Sequence, residues 1–438
     1  MVTWDVVVVG GGAAGIIAAW NAQRNGARTL LLEKTGRLGT KILISGGGKC
    51  NICHDGPLED VLKAFRKNEA LFLRPSFYRF TNKEVVALLT DRGLEVYTRP
   101  DGRIFPVHQT AKDVVAILES LLKDESVTIR TEAPVVGIDP IDGGFRVSVG
   151  EPIPPNSGYR HAAQGNVETV TARTVIVSTG GASYPNCGTT GDGWDWMRQL
   201  GHSIVPTLPA LAPIYLHFTE FQTQLSGISV RDGVLKARYQ GKEIARWRGD
   251  TLLTHQGVSG PCALGISRVI AEQTESTEVT IECDFLPDLS FEQLSEEILA
   301  IPANRTVLSY LTGFMAERVG MQLLQDSQID EHIISRRLER KPRNRLVEAI
   351  KGWKLGPVRV VPLEKGEVTA GGVSLVEVNS KTMASQVLPG LFLCGEILDI
   401  AGPVGGYNLQ AAFSTGFVAG ESAGLLSAKL VDHGVATG

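Results

Sequence analysis

The sequence has 438 residues, of which 43% are hydrophobic and 21% charged, with a formal net charge of −4. That composition is ordinary for a globular protein long enough for two or three cores. It predicts no nucleic-acid partner, since there is no bulk basic field, and no membrane span, since no apolar run reaches roughly 18 residues. Six cysteines in so long a chain do not suggest a disulfide framework, and a reducing cytoplasm is the expected compartment.

Residues 5–33 read as strand, glycine turn, helix and strand. Val6–Val9 is a β-branched run of the kind found in buried parallel strands. It begins almost at the first residue, so no signal peptide is expected. Helical patterns recur at 58–74, 82–92 and 111–123, and a strand is expected near 127–138. The polar stretch 150–168 reads as an exposed hairpin tip or an insertion. Thr174–Ser178 is a second buried strand. Pro206, Pro209 and Pro213 then look like a hinge. Residues 214–285 alternate as strands do, whereas 291–350 carry helical spacing. Pro342, Pro357 and Pro362 mark the return, and a final helix is expected from about Leu409 to Ala428. The pattern predicts an α/β protein whose nucleotide-binding domain (1–205 and 353–438) is split by a β-rich unit (206–288) and a helical unit (289–352).

The chemistry begins at Gly10-Gly11-Gly12-Ala13-Ala14-Gly15, which fits G-x-G-x-x-G. Alone that is a weak match, but here a buried strand precedes it, a helix follows, and the acid Glu33 ends the next strand. Gly10 serves the tight turn, Gly12 lets backbone approach a pyrophosphate, and Gly15 lets helix and strand pack closely. The helix N-terminus offers N–H donors to phosphate, and Glu33 offers acceptors to ribose hydroxyls. Further close-approach sites at Thr179-Gly180-Gly181, Gly188–Gly193 and Gly395–Gly406 argue for the longer FAD rather than NAD. Gly405-Gly406-Tyr407-Asn408-Leu409, just before the last helix, suits the flavin N1 and C2 carbonyl, where charge gathers on reduction. A second complete G-x-G-x-x-G is missing, so NAD(P)H is expected only as a transient reductant.

Several longer motifs carry a family likeness: Gly36-Arg37-Leu38-Gly39-Thr40-Lys41-Ile42-Leu43-Ile44-Ser45-Gly46-Gly47-Gly48-Lys49-Cys50-Asn51, Gly102-Arg103-Ile104-Phe105-Pro106, Thr254-His255-Gln256-Gly257-Val258-Ser259-Gly260-Pro261 and Gly390-Leu391-Phe392-Leu393-Cys394-Gly395-Glu396. Over nearly its whole length the chain resembles the bacterial NAD(P)/FAD-dependent oxidoreductases of the aminoacetone-oxidase-like and bile-acid-reductase-like family. The resemblance implies a Rossmann-like FAD-binding domain split by a β-barrel-like domain and a small helical domain. It also implies non-covalent FAD and a small-molecule substrate. After Asn51 the chain departs from the family's small polar residues with Ile52-Cys53-His54. Cofactor contacts are expected at Gly10, Gly12, Ala13, Ala14, Gly15, Glu33, Lys34, Lys41, Gly48, Cys50, Asn51, Val135, Thr179, Gly180, Gly181, Gly395, Glu396, Asp399, Gly405, Gly406, Asn408 and Leu409.

Cys50 and Cys53 form a C-x-x-C that raises a flavin disulfide reductase as an alternative, although small buried cysteines are the plainer reading. A non-catalytic redox sensor is the other alternative. No metal set is expected, because no second CxxC or histidine pair follows. The candidate catalytic positions are Arg103, as a fork for a carboxylate; His255, as an acid–base group; and Cys50. Lys41 and Arg37 read either as phosphate or ring contacts or as solvated loop charges. Trp194 and Trp196 are expected to pack the domain surface. The sequence leaves the oligomeric state open.

Overall fold

In the computed structural model, residues 4–154, 159, 166–217, 223–273 and 275–435 are described. Much of the polar stretch 150–168 therefore lies outside the described residues. The chain divides into two compact units, residues 1–207 with 367–438, and residues 208–366.

The first unit is built on a seven-stranded sheet. The strand Trp4–Val9 pairs in parallel with Thr29–Leu32 on one side and with Glu168–Val177 on the other. Thr128–Arg130 extends the Thr29–Leu32 edge, again in parallel. Glu168–Val177 is long enough to fork the sheet: residues 168–172 pair antiparallel with Gly144–Val149, while residues 175–177 pair in parallel with Leu391–Leu393. Val6, Val7 and Val8 are fully buried, as are Val175, Ile176 and Val177, which is why these strands read as unbroken apolar runs. The helix Ala13–Arg24 connects the first two strands. The pattern expected as one helix over 58–74 is two, Leu58–Lys63 and Lys67–Arg79.

The second unit contains a closed antiparallel barrel of six strands. In hydrogen-bonded order these are Ile214–Leu216, Gly257–Ser259, Lys242–Thr254, Ser229–Tyr239, Thr280–Asp284 and Trp353–Val360. Trp353–Val360 corrects the expected return at residue 353: Tyr215 pairs with Val360, so this strand closes the barrel and the first unit resumes only at 367. The proline at 357 misled because it sits in a strand, where loss of one N–H is tolerated at an edge or irregularity. Helices Phe291–Leu299, Val307–Leu311, Glu317–Asp326 and Arg340–Gly352 share one apolar core with the barrel, with Leu294, Leu323, Leu346 and Ile350 buried beside Leu235, Ile281 and Leu355. No helix among the described residues is long and apolar enough to cross a membrane.

Candidate functional site

The turn after the first strand is closed by backbone contacts. Gly10 N–H donates to the Leu32 carbonyl at 2.8 Å, and Gly39 N–H donates to the Gly11 carbonyl at 2.8 Å. A Cβ on Gly15 would lie 1.8 Å from the Gly10 oxygen, so only glycine lets the helix seat against the turn. Ser178 braces the same point, donating to the Val9 and Gly10 carbonyls at 2.9 and 3.0 Å. Gly12 is the opposite case. Its φ is an ordinary −82° and nothing lies within 4 Å of where a Cβ would be. The helix starts at Ala13 with no acid in its first turn, leaving its N–H groups and partial positive charge facing that open space.

Glu33 accepts from Gly11 N–H at 2.6 Å and from Thr35 N–H at 2.7 Å. Burial raises its carboxyl above the ordinary range, and these two backbone donors offset part of that. Glu33 N–H donates to the Arg130 carbonyl and its own carbonyl accepts from Ala133, which sets the segment leading into buried Val135 beside it. Lys34 turns the other way and ties this loop to the glycine cluster, through Thr190 and Asp192 at 2.6 Å each.

A second set forms around Glu396. Its carboxylate accepts from Lys41 Nζ at 2.8 Å and from Thr369 N–H at 2.8 Å, and Lys41 also reaches Ser183 Oγ at 2.8 Å. Lys41 is thus an ion-pair partner and not a solvated loop charge, whereas Arg37 is exposed. Gly181 packs against this set, since a Cβ there would lie 2.5 Å from Thr369 Oγ1. Gly180 lies beside Thr189. Gly395 N–H donates to Thr415 Oγ1 at 3.0 Å, and a Cβ on Gly395 would come within 2.8 Å of Ala14. The 395 loop therefore meets the dinucleotide helix near its start. Asp399 accepts from Gly371 N–H at 3.1 Å and so holds neighbouring backbone.

The third set is the loop before the last helix. A Cβ on Gly406 would lie 2.6 Å from the Cys53 carbonyl, so this loop seats on the Cys53-His54 strand; Gly405 lies against the Tyr407 ring. The His54 ring stacks on Tyr407 at 4.7 Å. The Asn408 side chain is occupied within its own loop, accepting from Gly402 N–H at 2.8 Å and donating to the Gly402 carbonyl at 3.0 Å. What the loop presents is therefore backbone, the N–H groups of Tyr407, Asn408 and half-buried Leu409 at the helix start. Gly48 ends a short 3-10 turn, Ser45–Gly48, with Cys50 and Asn51 just beyond it.

Two side-chain oxygens expected to touch cofactor, Thr179 Oγ1 and Asn51 Oδ1, are buried and lack a protein partner. A buried polar atom without a partner costs on the order of 1–3 kcal/mol, so each asks for a ligand. Together with the space a Cβ would fill at Gly12, they fit FAD.

Other expected positions fare differently. Arg103 lies on a strand paired with Cys53-His54, but Asp101 already holds its guanidinium, through Nε at 2.9 Å. His255 is exposed in the barrel hairpin of the second unit. Trp194 and Trp196 are buried rather than superficial, and Trp194 Nε1 donates to the Ile397 carbonyl at 2.9 Å, bracing the 395 loop. Ser178, Ser183, Thr369 and Thr415 were not among the expected site residues, since lone hydroxyls have no spacing to betray them.

Cys50 and Cys53 are free and fully buried, and burial pushes both thiols up to about 12. The thiolate is the reactive form, so this setting disfavours a disulfide-reductase role. Alkylation of either cysteine in the native protein at pH 8 is expected to be at least about 100-fold slower than after denaturation, where ordinary thiols titrate near roughly 8.5. Rapid stoichiometric labelling of the native pair, read by mass spectrometry, would revive the redox-pair reading.

This fold and cradle define a Rossmann-like FAD-dependent oxidoreductase. The chain belongs to the family described as HI0933-like protein Rossmann domain, whose model matches residues 4–422. It is 28% identical over 432 residues to the ribosomal RNA dihydrouridine synthase of Escherichia coli (strain K12), covering 98% of this chain and 100% of the relative. It is 30% identical over 423 residues to the 3-dehydro-bile acid delta(4,6)-reductase of Clostridium scindens, covering 95% and 98%. Among solved structures, 3-ketosteroid delta1-dehydrogenase from Sterolibacterium denitrificans superposes with a TM-score of 0.52 over 97% of this chain and 100% of that one, at 14% identity, which speaks to fold alone. The expectation that nucleic acid is no partner does not extend across the family, because one full-length relative is a ribosomal RNA enzyme.

Proposed function

We propose that the protein reduces a carbon–carbon double bond conjugated to a carbonyl, with non-covalently bound FAD and NAD(P)H as the electron source. The redox half of this reading is carried by the open phosphate space at Gly12, with the partnerless Thr179 and Asn51 oxygens as further support. The substrate half is supported by the two full-length relatives. One name describes saturation of a uracil ring in ribosomal RNA, the other reduction of a 3-oxo bile acid, and both reacting bonds lie in conjugation with a carbonyl.

Bound FAD, once reduced by NAD(P)H, would supply the hydride to the carbon β to the substrate's carbonyl, while the α carbon takes a proton from solvent. The chain's own residues would bind and orient. The Ala13 helix start would hold the pyrophosphate. Glu33 would turn its remaining acceptor capacity to the ribose. The Lys41–Glu396–Ser183 set would fix the loops on which Gly181 and Gly395 lie. The amides at residues 407–409 would offer donors where negative charge develops, the kind of preorganised stabilisation that needs no rearrangement during reaction.

The test is anaerobic and uses the purified yellow holoenzyme. NADPH or NADH is expected to bleach the flavin band within seconds. Either a 3-oxo-Δ4 steroid or a uridine-containing RNA is then expected to restore it. Acid precipitation should leave FAD in the supernatant. A flavin that ignores both nucleotides yet is bleached by an amine or hydroxy acid would replace this reading with a substrate-fed oxidase.

A further inference from the structure

Many arginines of this protein are matched with acids. Arg74 pairs with Glu59 at 2.8 Å, Arg130 with Glu168 at 2.7 Å, Arg238 with Glu282 at 2.6 Å, and Arg248 with both Asp232 and Asp288 at 2.8 and 2.7 Å. One stretch breaks the habit. From Arg336 to Arg345 the chain reads Arg-Arg-Leu-Glu-Arg-Lys-Pro-Arg-Asn-Arg, with Glu339 as its single acid. Arg336, Arg337, Arg340 and Lys341 are all exposed, and among the described residues none of them has an ion-pair partner. Arg343 and Arg345 differ, since their Nε groups donate to Ser295 Oγ and to the Ser327 carbonyl, and they serve the fold.

The backbone holds this run rigidly. Ser335 is buried and donates to the Ile301 carbonyl at 2.8 Å, and Leu338 is buried. An isolated bridge pairs Thr306 with Ile334, and Val307 N–H donates to the Ile333 carbonyl at 3.0 Å. That register sets exposed Arg305 beside the start of the run, so two chain segments contribute cations to one face. In the helix Arg340–Gly352, Leu346, Val347 and Ile350 point into the core, leaving Arg340 and Lys341 outward.

We propose that Arg305, Arg336, Arg337, Arg340 and Lys341 form a docking face for the sugar–phosphate backbone of a folded RNA. Five exposed cations on neighbouring segments with a single acid among them favour an anion that offsets them, and guanidinium groups match phosphate bidentately. Within the run the one large apolar side chain, Leu338, is turned inward, so the run itself presents charge and no apolar wedge for a lipid surface. The overall charge of −4 does not argue against this, because a rigid local cluster acts within a screening length of about 10 Å. The inference deepens the proposed function by naming RNA, with its uracil rings, as the carrier of the reducible bond.

The test measures binding of holoenzyme to transcribed bacterial ribosomal RNA, without turnover, across a salt series. Wild type is expected to bind with log Kd rising against log salt with a slope of roughly 3.5–4.5, the value for about five phosphate contacts. The variant R336E/R337E/R340E/K341E should weaken binding at least about 30-fold and lower that slope, with flavin content and NADPH-driven bleaching unchanged. The charge-keeping variant R336K/R337K/R340K should lose no more than about 5-fold. If the reversal variant proves insoluble, the corresponding glutamine variant serves, with a loss of about 10-fold expected. RNA binding that survives reversal, or no RNA binding by wild type near physiological salt, overturns the proposal. So does equal, reversal-sensitive binding to vesicles of anionic lipid. Because docking is read without reduction, an enzyme that docks RNA but reduces only a steroid enone would refute the substrate and leave the face standing.

Discussion

Gly12→Val is expected to yield a folded, colourless protein. Nothing of the protein lies within 4 Å of a Cβ at this position, and its φ of −82° suits any residue, so the side chain enters open space. That space is where the helix start offers its N–H groups, and a pyrophosphate has to come within hydrogen-bond reach of them. The isopropyl group then competes with phosphate and with nothing else. Affinity for FAD is expected to fall at least about 100-fold, near 3 kcal/mol at 1.4 kcal/mol per decade. The cost to the apo fold should stay within about 1 kcal/mol, the scale of a changed helix N-cap. Gly15→Val makes the opposite prediction, since even its Cβ would lie 1.8 Å from the Gly10 oxygen, and it should lose soluble protein together with flavin. Visible absorbance and the melting temperature of the apo-protein separate the two. A Gly12→Val protein that purifies with a full complement of FAD would remove the phosphate assignment.

The flavin half of the fold is legible because its signals are local. Val6–Val9, the glycine turn and Glu33 sit within 30 residues, and each carries a period or a spacing that one reading frame captures. The second unit is harder. Barrel closure joins Tyr215 to Val360 across most of the insertion, and short strands such as Ile214–Leu216 and Gly257–Ser259 have no room for a period. The proline at 357 then reads as a boundary although the strand runs through it. At the site, glycines announce themselves by their clustering. The hydroxyls that fix them do not, since Ser178 and Thr415 act through contacts many residues away. Arg103 shows the converse failure: its motif is conspicuous, but its guanidinium is satisfied by Asp101 two residues earlier. The basic run at 336–345 was hidden by arithmetic, as a total charge averages over the paired acids elsewhere.

Gly420→Val should cause a large loss of stability at a site remote from the phosphate turn. The last helix, Tyr407–Val435, lies along the dinucleotide helix so closely that backbones touch. A Cβ on Gly416 would be 2.3 Å from the Ala14 oxygen, on Gly420 2.2 Å from the Ala18 oxygen, and on Gly424 2.9 Å from the Ala22 oxygen. Both stripes repeat every four residues, which is the same-face spacing of a helix, and alanine is the partner at every step. This spacing was visible in the sequence, yet glycines inside a helical pattern usually count against the helix. Intrinsic propensity alone would have Gly420→Ala stabilise by about 1 kcal/mol. The contact predicts the reverse, because the obstacle is main chain on both sides and no rotamer can relieve it. Gly420→Val is expected to cost about 4 kcal/mol, lowering the melting temperature of the apo-protein by roughly 8 °C or more. Flavin content should fall with it, because this helix begins at the amides of residues 407–409 and carries Thr415, which holds Gly395. Gly352→Ala, where nothing lies within 4 Å, provides the control and should be neutral or slightly stabilising. Were Gly420→Ala to melt at or above the wild-type temperature, the two helices could not be packed at this distance, and the path from the cradle to the last helix would have to be redrawn.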